Sequence, residues 1–194
     1  MSRQSPPSLA LLQHQAMECH ACVLATTRTT VVFGEGSSSA EVMFIGEGPG
    51  RDEDESGRPF VGRSGKLLTR LIEEELHRTR GEVYIANVVK CRPPQNRNPE
   101  PNEIASCAPY LAGQIAAIDP KVIVTLGAFA TRAVLKVSTG ITALRGRAYL
   151  VDGRTVVPTY HPAAGLRGGP RVVTEMRADL ALAVLVLRGE AVAE

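Results

Sequence analysis

The stretch Glu41-Val-Met-Phe-Ile-Gly-Glu-Gly-Pro-Gly50 decides how the chain is read. Val42 to Ile45 form a continuous apolar run, which suits a strand buried on both faces, here spanning Glu41 to Glu47, and a glycine-rich turn follows it at once. The same pattern recurs downstream at Val83 to Val89 and at Lys121 to Leu126. Between the first two strands, Leu67, Leu68, Leu71, Ile72 and Leu76 fall on one face of a helix from Ser64 to about His77, while Glu73, Glu74 and Glu75 are solvated. Asn102 to Ile118 reads as a second helix, whose regularity Pro109 should end or kink, and Gly127 to Leu135 as a third. Asp152 and Gly153 supply the positive φ angles of a tight hairpin turn between Ala148–Val151 and Thr155–Thr159. A last helix runs from about Thr174 to Arg188, and residues 1–18 read as a loose lead-in and a short helix. Buried strands alternating with helices predict an α/β fold of three layers, with a mostly parallel sheet covered on both faces.

The 194 residues suit one domain, because a chain of this length buries most of its apolar surface around a single core. With 44% apolar and 22% charged residues, neither disorder nor a fibrous class is indicated. Gln13, His14 and Gln15 interrupt the short apolar stretch after Leu9, which argues against a secretory leader, and no apolar run approaches the ~20 residues of a membrane span. The expectation is a cytoplasmic protein with no membrane partner. A net charge of +2 is too small to mark a nucleic-acid binder by itself. Local clusters say more: Arg63, Lys66 and Arg70; Lys90, Arg92 and Arg97; and Arg145, Arg147, Arg167 and Arg171 lie near loops or element ends, where converging cations bind a phosphate backbone.

Cys19 and Cys22 form a C-x-x-C pair, Cys91 follows the second strand, and Cys107 lies inside the next helix. Four thiols make one complete ligand set, and either structural zinc or an iron-sulfur cluster accepts it. A thioredoxin-like redox pair would sit at a strand-to-helix junction, whereas this pair precedes the first strand.

Gly46-Glu-Gly-Pro-Gly50 lets a ligand approach the backbone closely, yet it is no dinucleotide fingerprint, because the third glycine of that pattern would fall at Arg51. Gly65-Lys66 is no phosphate-binding P-loop either, since Phe60 stands at its first glycine and Leu67 at its Ser or Thr.

Taken together, GEGPGRDEDESGRPFVGRSGKLL (46–68), YIANVVKCRPPQNRNPEPNE (84–103), VIVTLG (122–127) and PTYHPAAGLR (158–167), with the cysteine spacing, resemble the family 4 uracil-DNA glycosylases over nearly the whole chain. The resemblance implies a central parallel sheet of four strands between helices, a [4Fe-4S] cluster held by Cys19, Cys22, Cys91 and Cys107, and action as a monomer on uracil-containing DNA, single- or double-stranded. It implies a monofunctional enzyme that flips uracil out and hydrolyses its N-glycosidic bond.

Such chemistry needs a flipped base held flat, its edge read, and the departing charge accepted. Phe60, in its Pro-Phe-Val-Gly loop, matches the stacking platform. Asn87 ends its strand, where an amide donates to O4 and accepts from N3–H of uracil, the reverse of what cytosine offers. His161 donates to O2 as negative charge builds on the leaving base. The resemblance puts Glu47 where a carboxylate orients water or stabilises the cationic sugar, and, with Gly48 lacking a side chain where related families carry an aspartate base, it implies catalysis mainly by charge stabilisation. Glu53 is assigned to the pocket wall near uracil C5 and Asn96 to supporting it. Gly165 stands where the family usually has a wedge leucine, so Leu166 or Arg167 is the candidate wedge and single-stranded or mismatched uracil the expected preference. The competing class is a nucleic-acid-binding or uracil-trapping module without turnover. Trapping relatives carry a histidine in the loop after the second strand, and Pro93 to Pro101 has none.

Overall fold

The computed structural model describes residues 8–193. Its sheet has six strands in the order β1-β3-β2-β4-β6-β5. They are β1 (Glu35–Gly36), β2 (Val42–Gly46), β3 (Tyr84–Asn87), β4 (Val122–Leu126), β5 (Tyr149–Val151) and β6 (Arg154–Thr159). The inner four, β3, β2, β4 and β6, are mutually parallel, and β1 and β5 add antiparallel edges. The expected count of four is therefore corrected to six in a mixed sheet. The short β1 carries no apolar run to betray it, and β5 is the outer arm of the foreseen hairpin, joined to the same sheet. Asp152 and Gly153 both have positive φ, 48° and 78°, as that turn demands.

Every residue of β2 and β4 is buried because helices cover both faces. On one face, α3 (Arg63–Leu71) and α7 (Pro162–Leu187) enclose a core of Phe44, Leu68, Leu71, Val124, Met176 and Leu180. On the other, α4 (Pro101–Ile118) and α5 (Ala128–Leu135) pack on Met43, Ile45, Ala86 and Ile123. The N-terminal α1 (Leu9–Met17) lies against α4 with Leu12, Leu24 and Phe33 beneath it. Residues 1–7 of the expected lead-in fall outside the described residues.

Several boundaries differ from expectation for local reasons. Helix α4 runs through Pro109, because the Ala105 carbonyl that loses its N–H partner is on the exposed side, where water replaces it. Helix α3 ends at Leu71 and continues as one π turn, Ile72–Leu76, closed by His77 in the left-handed region. Helix α7 begins at Pro162 rather than near Thr174. Gly165, Gly168, Gly169 and Pro170 hide its first turns from a propensity reading, and the helix breaks at Gly169 (φ 69°, ψ −160°) before continuing. Two short helices were not foreseen, α2 (Arg51–Ser56) and α6 (Ile141–Leu144).

Candidate active site

The parallel strands all end at one rim, and their last residues or following turns build a cleft of about 670 Å³. Strand β2 delivers Glu47 and Gly48, β3 delivers Asn87, and β6 delivers His161. The chain leaves β2 toward one face and β3 toward the other, so a crevice opens between the diverging turns, as at the ligand sites of other open α/β sheets. Glu53, Phe60, Asn96, Leu166 and Arg167 also line this cleft, which brings together all nine expected non-cysteine site residues.

Asn87 is 1% exposed, and its Oδ1 is a buried acceptor without a hydrogen-bond partner among the described residues. Such an orphan costs about 1–3 kcal/mol, and beside a cleft it leaves an acceptor for an incoming donor. Gly46 makes room for it. A Cβ there would lie 2.4 Å from Asn87 Oδ1 and 2.5 Å from Phe60 Cζ.

Phe60 sits beside His161, with ring centroids 5.6 Å apart and planes at 36°. Its φ of 53° is unusual for a residue with a side chain, so its loop must be held from outside. Glu53 holds one side: Oε1 accepts from Val61 N–H (2.9 Å) and Gly62 N–H (3.1 Å), and Oε2 from Gly50 N–H (3.1 Å). Both carboxylate oxygens of Glu53 thus bind backbone, which makes it the strut between the Gly50 turn and the Phe60 loop. The sequence reading gave it a place on the pocket wall, and it does line the cleft. Arg80 holds the other side, donating to Phe60 O (3.0 Å) and to Pro59 O while Glu35 pairs with its guanidinium. Gly65 permits this fold-back, since any Cβ there would overlap the Phe60 carbonyl at 1.8 Å.

His161 caps helix α7, and its Nδ1 accepts from Ala163 N–H at 3.1 Å. That bond fixes the tautomer: a neutral ring must carry its proton on Nε2. Burial, reinforced by the Arg167 cation, pulls the imidazole down to about 4, so the ring is neutral at physiological pH. Burial also pushes the Glu47 carboxyl above its ordinary value. Asn96 accepts from Arg92 Nε at 2.7 Å, so its amide braces the loop after β3 and not Glu53.

Gly165 points inward, where a Cβ would meet Leu67 at 3.1 Å, Met176 at 3.2 Å and Val173 at 3.4 Å. Leu166 is 47% exposed at the cleft rim. The apolar side chain that the expected position lacks is therefore supplied one residue later.

All four cysteines are free and line one small chamber beneath α1 and α4, with Arg28, Lys90 and Tyr110. Arg28 Nη1 donates to Cys91 Sγ (3.4 Å) and to Cys19 O (2.7 Å), and Lys90 N–H donates to Cys107 Sγ (3.2 Å). Among the described residues, no three histidine, cysteine or carboxylate side chains form a ready-made ion site. Soft sulfur donors supported by N–H groups are nonetheless the chemistry an iron-sulfur cluster uses. Burial pushes the Cys107 thiol up to about 11 and raises Cys91 too, so a metal would have to displace their protons.

Sequence reasoning missed Arg80 and Glu35, and it counted Lys90 among the cations open to a phosphate backbone, whereas Lys90 is fully buried. Lys90 Nζ donates to Asn87 O (2.7 Å) and Gln114 Oε1 (2.6 Å), tying the end of β3 to α4. Neither Arg80 nor Glu35 sits in a recognisable motif, and nothing in the 84–103 stretch announces that Lys90 is buried.

The Uracil DNA glycosylase superfamily model matches residues 33–181. A "Type-4 uracil-DNA glycosylase" of Sulfurisphaera tokodaii is 48% identical over 167 residues, 82% of this chain and 76% of that protein. The similarly named protein of Thermotoga maritima is 48% identical over 82% of this chain and 83% of its own length. That of Pyrobaculum aerophilum is 40% identical over 90% and 92%. With that similarity spanning the sheet and the cleft alike, the chain belongs to the uracil-DNA glycosylase superfamily, among its type-4 members.

Proposed function

We propose that this chain removes uracil from DNA mainly by charge stabilisation, with Gly48 where related families carry an aspartate base, leaving an abasic site. The orphan Oδ1 of Asn87 is the observation that carries the reading, because uracil N3–H is the donor it lacks and cytosine has none there. Phe60 supports the flipped base from one face. The neutral His161 directs Nε2–H toward O2, where negative charge collects as the glycosidic bond breaks. Gly48 has no side chain to act as base, and a Cβ there would meet Val89 at 2.7 Å. Glu47 then stabilises the cationic sugar and orients the attacking water: its oxygen bonds C1′ and keeps one hydrogen as the new hydroxyl, its other proton is released to solvent, and the departed uracil anion takes up a proton from solvent at N1.

The chamber residues Cys19, Cys22, Cys91 and Cys107 would hold a [4Fe-4S] cluster, which supplies a structural tie between the N-terminal segment, β3 and α4. No helix among the described residues is long and apolar enough to cross a membrane. The working form is a cytoplasmic monomer.

Uracil release from labelled oligonucleotides, followed across pH, tests the site. Raised by burial, Glu47 loses its charge as pH falls through its elevated value, so the rate should drop on that limb while His161 stays neutral down to about 4. In Glu47→Gln the plateau should fall by roughly 100-fold and that limb should vanish. A limb near the ordinary imidazole value of about 6.5 that survives Glu47→Gln would show a titrating His161 and overturn the assignment. Absence of any uracil release, with DNA binding intact, would favour the trapping module.

Leu166 is the wedge that fills the gap left by the flipped base. Leu166→Ala should slow release from fully paired duplex by roughly 10-fold and from single strands far less, since only the duplex must be unstacked. Equal losses on both substrates would remove the wedge role.

A further inference from the structure

The surface cations of this protein divide into two kinds. Arg78, Arg97, Arg145, Arg154 and Arg177 each bind a carboxylate. Arg63, Lys66 and Arg70 are exposed, and no carboxylate pairs with any of them among the described residues. All three lie on α3 at spacings of three and four, so they form one ridge along a single helical face.

That ridge has a direction. Arg63 stands on the rim of the catalytic cleft, while Lys66 and Arg70 line a separate open groove of about 310 Å³. Phe60 lines both spaces, so its loop is the wall between them. Arg58 also borders the groove but is held by Glu35 (2.8 Å), and Glu73, one turn beyond Arg70, closes the basic run with a negative charge. The seven-residue step from Arg63 to Arg70 rises ~10 Å, about three axial steps of ~3.4 Å per nucleotide.

We propose that the α3 ridge is a phosphate track, on which the DNA strand carrying the target base runs away from the pocket on one side of the flipped nucleotide. The inference rests on the glycosylase reading and adds to it the path of the strand. Every contact is to phosphate, so the track holds the strand without reading its sequence. Lys66 and Arg70 touch no reacting atom, and their contribution is to binding alone.

The test is the salt dependence of binding and turnover for Lys66→Ala/Arg70→Ala, with Arg132→Ala/Lys136→Ala as control. The control pair is likewise exposed and without carboxylate partners among the described residues, but it sits on the last turn and C-cap of α5, and neither residue lines the cleft. Anisotropy of a labelled uracil-bearing single strand should give a log K against log salt slope shallower by about 1.4 for the α3 variant, ~0.7 for each phosphate contact removed. KM should rise roughly 10-fold at moderate salt, with the loss confined to KM. Substrates truncated on one side of the uracil should abolish the difference between variant and wild type, and those truncated on the other side should keep it. An unchanged slope, an equal change in the α5 control, or sensitivity to neither truncation would overturn the track. The binding slope is read whether or not the protein turns over, so failure of the glycosylase reading would appear separately, as wild-type protein that binds but releases no uracil.

Discussion

Asn87→Ala should lose roughly 100- to 1000-fold in the rate of uracil release while the folded protein becomes no less stable. On the proposed reading, the loss follows from removing the two hydrogen bonds that would read uracil. Stability moves the other way for a reason visible in the free protein, where Oδ1 is buried without a partner. Deleting an unsatisfied acceptor relieves about 1–3 kcal/mol of desolvation cost and offsets the small cavity left behind. The melting temperature should therefore hold, or rise by about 2–4 °C. Asn87→Asp separates the two bonds: the carboxylate still accepts from N3–H but cannot donate to O4, so the rate should remain low. A variant that melts early, or one that keeps near-normal turnover, would show Asn87 to be structural.

Cys91→Ser should cost more in stability than any substitution in the cleft. Cys91 lines the chamber, buried and bonded by Arg28, and it immediately follows Lys90, whose ammonium binds the Asn87 carbonyl. Loss of one thiolate should bleach the visible absorbance of a cluster and lower the melting temperature by about 10–15 °C. Uracil release should fall with it, because only a few residues separate Asn87 from Cys91. Colourless wild-type protein carrying one equivalent of zinc would replace the cluster with a structural ion. Wild-type protein with neither metal nor iron would leave four packed thiols.

The parts of the fold that sequence revealed were those governed by local pattern. The apolar runs of β2, β3 and β4 and the stripe of α3 are periodic, and Asp152-Gly153 states its turn chemistry outright. The cleft residues were legible because they stand in long ordered motifs beside those strands. What stayed hidden depends on partners distant in sequence. Edge strand β1 exists only because Glu35 and Gly36 find Ile85 and Tyr84. Arg80 acquires its role by reaching back to the Pro59 and Phe60 carbonyls, and nothing near Arg80 in the chain hints at that. The early start of α7 was masked by glycines that the tertiary structure tolerates, since Gly165 is packed against Leu67 and Met176. Glu53 was found, yet its bonding to three backbone N–H groups exists only in the folded chain.

The neighbouring pair Gly165 and Leu166 shows what counting from a motif leaves out. Successive residues on a helix are turned by about 100°, so a shift of one position converts a side chain aimed at the core into one aimed at solvent. Whether a rim residue reaches the DNA is a matter of angular phase, set by where the His161 cap starts the helix. A glycine in the inward phase and a leucine in the outward one leave the rim furnished, although a tally of letters after the histidine finds it bare.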